Sequence, residues 1–140
     1  MTLTDVEASF FRYLYEQLEL PFGIRVFEDI TLEEYADLEK WVVIETLTNV
    51  TGYQPKQLFF LHMATQNNGK RSKEVLIRLV DQVMQVVNKG TTIVVYDYDD
   101  GQEIGGMEVQ ETSLSPVMPH FSGGAFRSLT VGVTYVAETN

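Results

Sequence analysis

Residues 72–89, SKEVLIRLVDQVMQVVNK, constrain this chain more than any other stretch. Turned through about 100° per residue, Val75, Leu76, Ile77, Leu79, Val80, Val83, Met84, Val86 and Val87 fill an arc of roughly 200°. Arg78, Asp81, Gln82, Gln85 and Asn88 take up the remainder, and Gly90 is a natural stop. The periodicity predicts one long helix with a broad apolar side. That side is wider than packing on a single sheet requires, so one of its edges, carrying Ile77 and Met84, is expected to meet another subunit.

Around this helix the pattern changes period. WVVIETLTNV (41–50) and KQLFFLHMAT (56–65) are rich in β-branched and aromatic residues and are separated by TGYQP, which predicts an antiparallel strand pair. IRVF (24–27) and TTIVVYDY (91–98) read as further strands, the latter ending in a DDG turn signal. In the closing stretch RSLTVGVTYVAE, residues Leu129, Val131, Val133 and Tyr135 alternate with small or polar ones. At the start, Thr4 and Glu7 form a capping-box pattern ahead of Val6, Phe10, Phe11, Tyr13, Leu14 and Leu18, which share one helical face. A second such pair, Thr31 with Glu34, predicts a helical turn in the acidic segment 28–39. The fold class that follows is α+β: a mixed, mainly antiparallel sheet, with an N-terminal helix and one long central helix packed on it. With 140 residues and no linker-like stretch, residues 1–140 are expected to form one domain.

Composition narrows the function. Twenty acids against ten bases give a net charge of −10, which opposes non-specific adhesion to DNA or to an anionic membrane. Cysteine is absent, so thiolate chemistry and disulfides are excluded. The apolar runs are short and broken by charges, unlike a membrane span. The opening MTLTDVEASF lacks the basic and apolar blocks of a signal peptide, so a soluble, non-secreted chain is expected.

Each candidate for chemistry then fails on a specific residue. A phosphate-binding loop needs glycine five residues before Gly69-Lys70 and Ser or Thr directly after, but Ala64 and Arg71 stand there. His62 shares a strand face with Leu58, Phe60 and Ala64. Its only histidine companion is His120, and two histidines without cysteine make a poor zinc set. His62 is therefore expected to be a neutral core or interface residue bonded to a neighbour. No G-x-S-x-G elbow presents a serine. DYDDGQE places Gly101 where a calcium loop needs its third ligand, although Asp97, Asp99 and Asp100 leave weak divalent-ion binding open. No catalytic residue, cofactor or metal site is expected. The looser segment 101–124 contains Gly105, Gly106, Pro116, Pro119, Gly123 and Gly124. It reads as a loop or hairpin arm whose Met107, Val109, Leu114, Val117, Met118 and Phe121 meet neighbouring subunits.

The run KQLFFLHMATQNNGKRSKEVLIRLVDQVMQVVN, followed by YDYDDGQ and the closing SLTVGVTYVAE, resembles the tail terminator proteins of long-tailed bacteriophages. The likeness spans residues 1–137 and lies in the pattern of elements rather than in signature residues. Segment 28–40 departs from it by being more acidic. The resemblance implies a structural virion protein, not an enzyme. Such a protein forms a ring, usually a homohexamer, that caps the tail tube, ends tail polymerisation and joins tail to head. Its partners would be the tail tube protein and the head–tail connector. DNA would pass through the lumen without specific recognition, and no membrane would be involved. It would be found at the top of the tail in the virion and in host cytoplasm during assembly. Two other readings stay open: a different neck or tail-completion protein, and a small bacterial α+β ligand-binding domain or enzyme.

Overall fold

A computed structural model describes residues 1–28, 38–50, 55–66, 71–119 and 124–137, with backbone alone at 48–50, 71, 72 and 137. The predicted turn at Thr31 and Glu34, the loop at Lys70, and both His120 and Phe121 lie outside these residues. The architecture is mixed α+β, with a mainly antiparallel sheet and an N-terminal helix.

Helix α1 (Leu3–Leu14) begins two residues earlier than Thr4 and Glu7 suggest. Its capping box is Thr2 with Asp5: Asp5 N–H donates to Thr2 Oγ1 at 3.3 Å and Thr2 N–H donates to Asp5 Oδ2 at 2.6 Å. The stretch TLTDVE holds two overlapping boxes, and tertiary contact selects between them. Asp5 Oδ1 also accepts the Tyr98 N–H at 2.8 Å, an interaction unavailable to a box built on Glu7.

Val6, Phe10, Leu14 and Leu18 are fully buried at a spacing of four. In a regular α-helix that spacing drifts by about 40° per step. Residues Tyr15–Glu19 widen into a π-helical turn, which takes up the drift and keeps Leu18 on the core side. A single turn, α2 (Leu20–Phe22), follows and stops at Gly23, whose φ of 68° is left-handed. The longest helix, α3 (Arg71–Val86), buries a narrower stripe than its apolar arc: Leu76, Leu79, Val80 and Val83, with Val87 just beyond.

Seven strands make one sheet: β1 (Arg25–Phe27), β2 (Lys40–Val50), β3 (Lys56–Thr65), β4 (Thr92–Tyr96), β5 (Glu103–Leu114), β6 (Met118–Pro119) and β7 (Ala125–Ala137). Their order is β1-β2-β3-β7-β5-β4, with β6 continuing the β5 side of β7. Among the described strands only the β1–β2 pair is parallel. The helices cover one face, where Phe59, Leu61, Met63, Leu129, Val131 and Val133 are fully buried against them. Phe10 stacks on Phe59, with centroids 4.2 Å apart and ring planes 14° from parallel.

Segment 101–124 corrects the sequence reading. Half of it is β5, a twelve-residue strand lodged between β7 and β4. Met107 and Val109 are 1% and 0% exposed and pack in the main core, so neither can meet a neighbouring subunit. The reason lies in the sequence itself, because M-E-V-Q alternates with a period of two. Gly105 and Gly106 obscured that pattern without breaking the strand, since each pairs in register with β4 and β7.

Candidate functional site on the open sheet face

The sheet face opposite the helices is the best candidate for function. Alternation puts Val43 and Glu45 of β2, Leu58, Phe60 and His62 of β3, and Phe126, Ser128 and Thr130 of β7 on this side. At one end Phe27, Trp41, Val43 and Ala64 form a small second cluster with Leu38 and Phe126 packed against it. Elsewhere no described element forms a second layer over this face.

At its centre three strands are tied by side chains. His62 Nε2 lies 2.7 Å from Glu45 Oε2 and His62 Nδ1 lies 2.7 Å from Ser128 Oγ. A carboxylate can only accept, so in the neutral ring Nε2 carries the hydrogen and Nδ1 accepts from the Ser128 hydroxyl. The register makes this array possible, because His62 sits directly opposite both Val43 and Ser128, while Glu45 is one pair along. Ser128 is held further by Ser115, whose Oγ accepts the Ser128 N–H at 2.8 Å and whose N–H donates to Ser128 O at 2.8 Å. Ser115 thus closes the gap between β5 and β6 in the ladder on β7. Sequence reading placed His62 on the correct face with a hydrogen-bonded neighbour. It missed Ser128 and Glu45, because only the register sets them beside the ring.

The array has the composition of a nucleophile, a base and an orienting carboxylate. Two features set it apart from a working hydrolase. The serine is 8% exposed in mid-strand rather than on a strained turn, and its own N–H, the nearest donor for an oxyanion, is already given to Ser115. As placed, the three residues form a cross-strand strut that fixes β2, β3 and β7 in register. Farther along the face, Lys56 Nζ and Glu111 Oε1 pair across Gly132, where a Cβ would come within 2.9 Å of both side chains.

Beside the strut lies a cavity of about 400 Å³. It is lined by Phe60, Leu114, Met118 and Phe126 together with His62, Ser128, Thr130 and other hydroxyls, and by no Asp, Glu, Lys or Arg. A second cleft of about 500 Å³, at the β2 edge, is lined by Glu7, Glu28 and Glu45 among apolar neighbours. Among the described residues no three acids or histidines converge well enough to hold a metal ion. Asp97 instead caps the β4–β5 turn, its Oδ1 accepting the N–H groups of Asp99 at 2.9 Å and Asp100 at 3.1 Å.

The residues singled out in the sequence are scattered. Leu114 and Met118 line the cavity, Val117 is exposed near it, and Ile77 and Met84 stand exposed on the flank of α3. Met107 and Val109 are in the core. No described helix is long and apolar enough to cross a membrane.

Comparison with known families adds nothing to this geometry. No protein-family model matches the chain, and a search of curated proteins finds no match.

Proposed function

We propose that the chain is a subunit of a closed homo-oligomeric ring, six copies in the form its resemblance implies. The ring caps the head-proximal end of a phage tail tube, ends tube growth and joins tail to head. One observation carries this reading. Beyond its Trp41 end, a sheet face left uncovered by any described element presents a cavity with no Asp, Glu, Lys or Arg in its lining, on a chain whose net charge is −10. An open apolar face is a liability on a monomer and is natural where a neighbouring subunit covers it. The acidic balance suits a lumen through which DNA slides without sticking. The tail tube protein and the head–tail connector are the partners on the two sides of the ring.

The test is to omit the chain during tail assembly and to locate it in particles by immuno-electron microscopy. Tubes of unregulated length, together with label at the head–tail junction, are the expected result. Tails of normal length, or label at another position in the neck, would replace this role by that of a different completion protein.

Ser128, His62 and Glu45 beside the cavity favour a second reading, a small-ligand pocket or serine hydrolase. It ranks lower because Ser128 is shielded and its amide is engaged. A fluorophosphonate probe should leave Ser128 unlabelled, and labelling lost in Ser128→Ala would promote this reading.

A further inference from the structure

We infer that copies of this chain join head to tail, the Leu20–Phe22 turn of one copy seating in the open-face cavity of the next. This rests on the ring reading and names the two surfaces that would build it. Leu20 and Phe22 are 65% and 56% exposed, two large apolar side chains left open on one turn. They do not hang loosely. Buried Leu18 and Ile24 clamp the turn at both ends, the Gly23 N–H donates to Glu19 O at 2.9 Å, and the Ile24 N–H donates to Leu18 O at 3.2 Å. The π-turn ties Leu20 to Tyr15, also exposed, through the Leu20 N–H, which donates to Tyr15 O. The result is a preformed apolar knob that loses little freedom on docking.

The knob and the cavity lie on opposite sides of the sheet. The knob belongs to the helical layer near β1, whereas the cavity opens on the opposite face, between β3, β7 and the β5–β6 bend. A knob and a hole on opposite sides of one chain cannot satisfy each other within it. Such a pair makes a heterologous contact, which closes into a ring or runs into a filament. Electrostatics points to a second copy meeting through these two patches. Copies carrying −10 each repel, and they approach most easily where the nearby carboxylates are already paired: Glu45 beside the cavity is held on His62 and Glu19 beside the knob on Arg25. Leu20, Pro21, Phe22 and Gly23 bear no charge, and the cavity walls bear none. At about 400 Å³ the cavity falls within the roughly 300–1,000 Å³ range that accepts small-molecule-sized groups, enough for an aromatic ring with a leucine beside it.

The experiment is sedimentation velocity with native mass spectrometry on three proteins: wild type, the knob variant Phe22→Asp, and a cavity variant, Ser113→Trp. Both altered residues are exposed, and near-UV circular dichroism confirms folding; Thr130→Arg serves as a second cavity variant if Ser113→Trp misfolds. Each variant alone should need at least a tenfold higher concentration than wild type to form rings. An equimolar mixture should give one-to-one heterodimers and nothing larger, because each partner keeps one intact surface. Wild-type rings with unaffected Phe22→Asp rings, or folded variants that form no heterodimer, would overturn the knob-and-cavity contact while leaving the ring reading intact. Wild type that stays monomeric even at about 1 M salt, where the screening length is about 3 Å, would overturn the ring reading itself.

Discussion

At the scale of single residues, two positions should prove far less tolerant than their chemistry suggests. A Cβ on Gly124 would lie 1.8 Å from the carbonyl oxygen of Thr65, a backbone atom that cannot swing aside. Gly124→Ala should therefore destabilise the fold by roughly 2–4 kcal/mol, read as a lower urea midpoint with an unchanged slope. A loss below the error of the measurement would mean that the β3–β7 end readjusts freely. The second position is Ser128. Removing its hydroxyl leaves His62 Nδ1 without a donor, so Ser128→Ala should lose about 1 kcal/mol. His62→Gln should lose about 1–2 kcal/mol. In a double-mutant cycle the two losses should fall short of additive by at least about 0.5 kcal/mol, the signature of residues in direct contact. Strict additivity would deny that the strut acts as a unit. His62 could be assigned to a face from alternation alone. Its partners could not, because a one-residue slip of β7 would send Ser128 to the other side of the sheet.

Among the elements, α1 shows how a local signal and a distant contact combine. The Asp5 carboxyl is held below its ordinary range by the N–H of Thr2 and then by that of Tyr98. Because the folded value is depressed, the stabilisation is fully present above the unfolded value of about 3.9 and is lost as pH falls through the folded value. Asp5→Asn removes the charge but keeps the shape. At neutral pH it should destabilise the protein by about 0.5–2 kcal/mol, the range for a helix cap, and the gap from wild type should close below pH of about 3.9. Thermal melts across the acid range test both parts, and a gap that persists at the acid end would assign the loss to packing. The strands were legible to within about two residues because β-branched alternation survives without tertiary information. Two features were not. Gly105 and Gly106 made β5 look like a loop, although pairing on both sides holds it in the sheet. The π-turn at Tyr15–Glu19 left no sequence mark except the spacing of four that it accommodates.

For the whole molecule, the balance between the open face and the net charge decides how assembly responds to solution conditions. Apolar surface draws copies together in a way that salt barely weakens, whereas repulsion between subunits of −10 is long-ranged and falls away with ionic strength. Rings should therefore form at lower protein concentration as salt rises, the opposite of an interface held by ion pairs. Divalent ions offer a sharper test, because the acidic turn at Asp97–Asp100 spends two backbone N–H groups on Asp97 and brings no three acids together. Screening, not bridging, is then the expected route. Sodium and magnesium chloride compared at equal ionic strength should shift the sedimentation midpoint by the same amount. A much larger shift with magnesium, abolished by Asp99→Asn with Asp100→Asn, would instead place a cation between the acidic turns of neighbouring subunits. Rings that dissociate as salt rises would show that charge pairs across the interface, not the uncharged face, hold the assembly together.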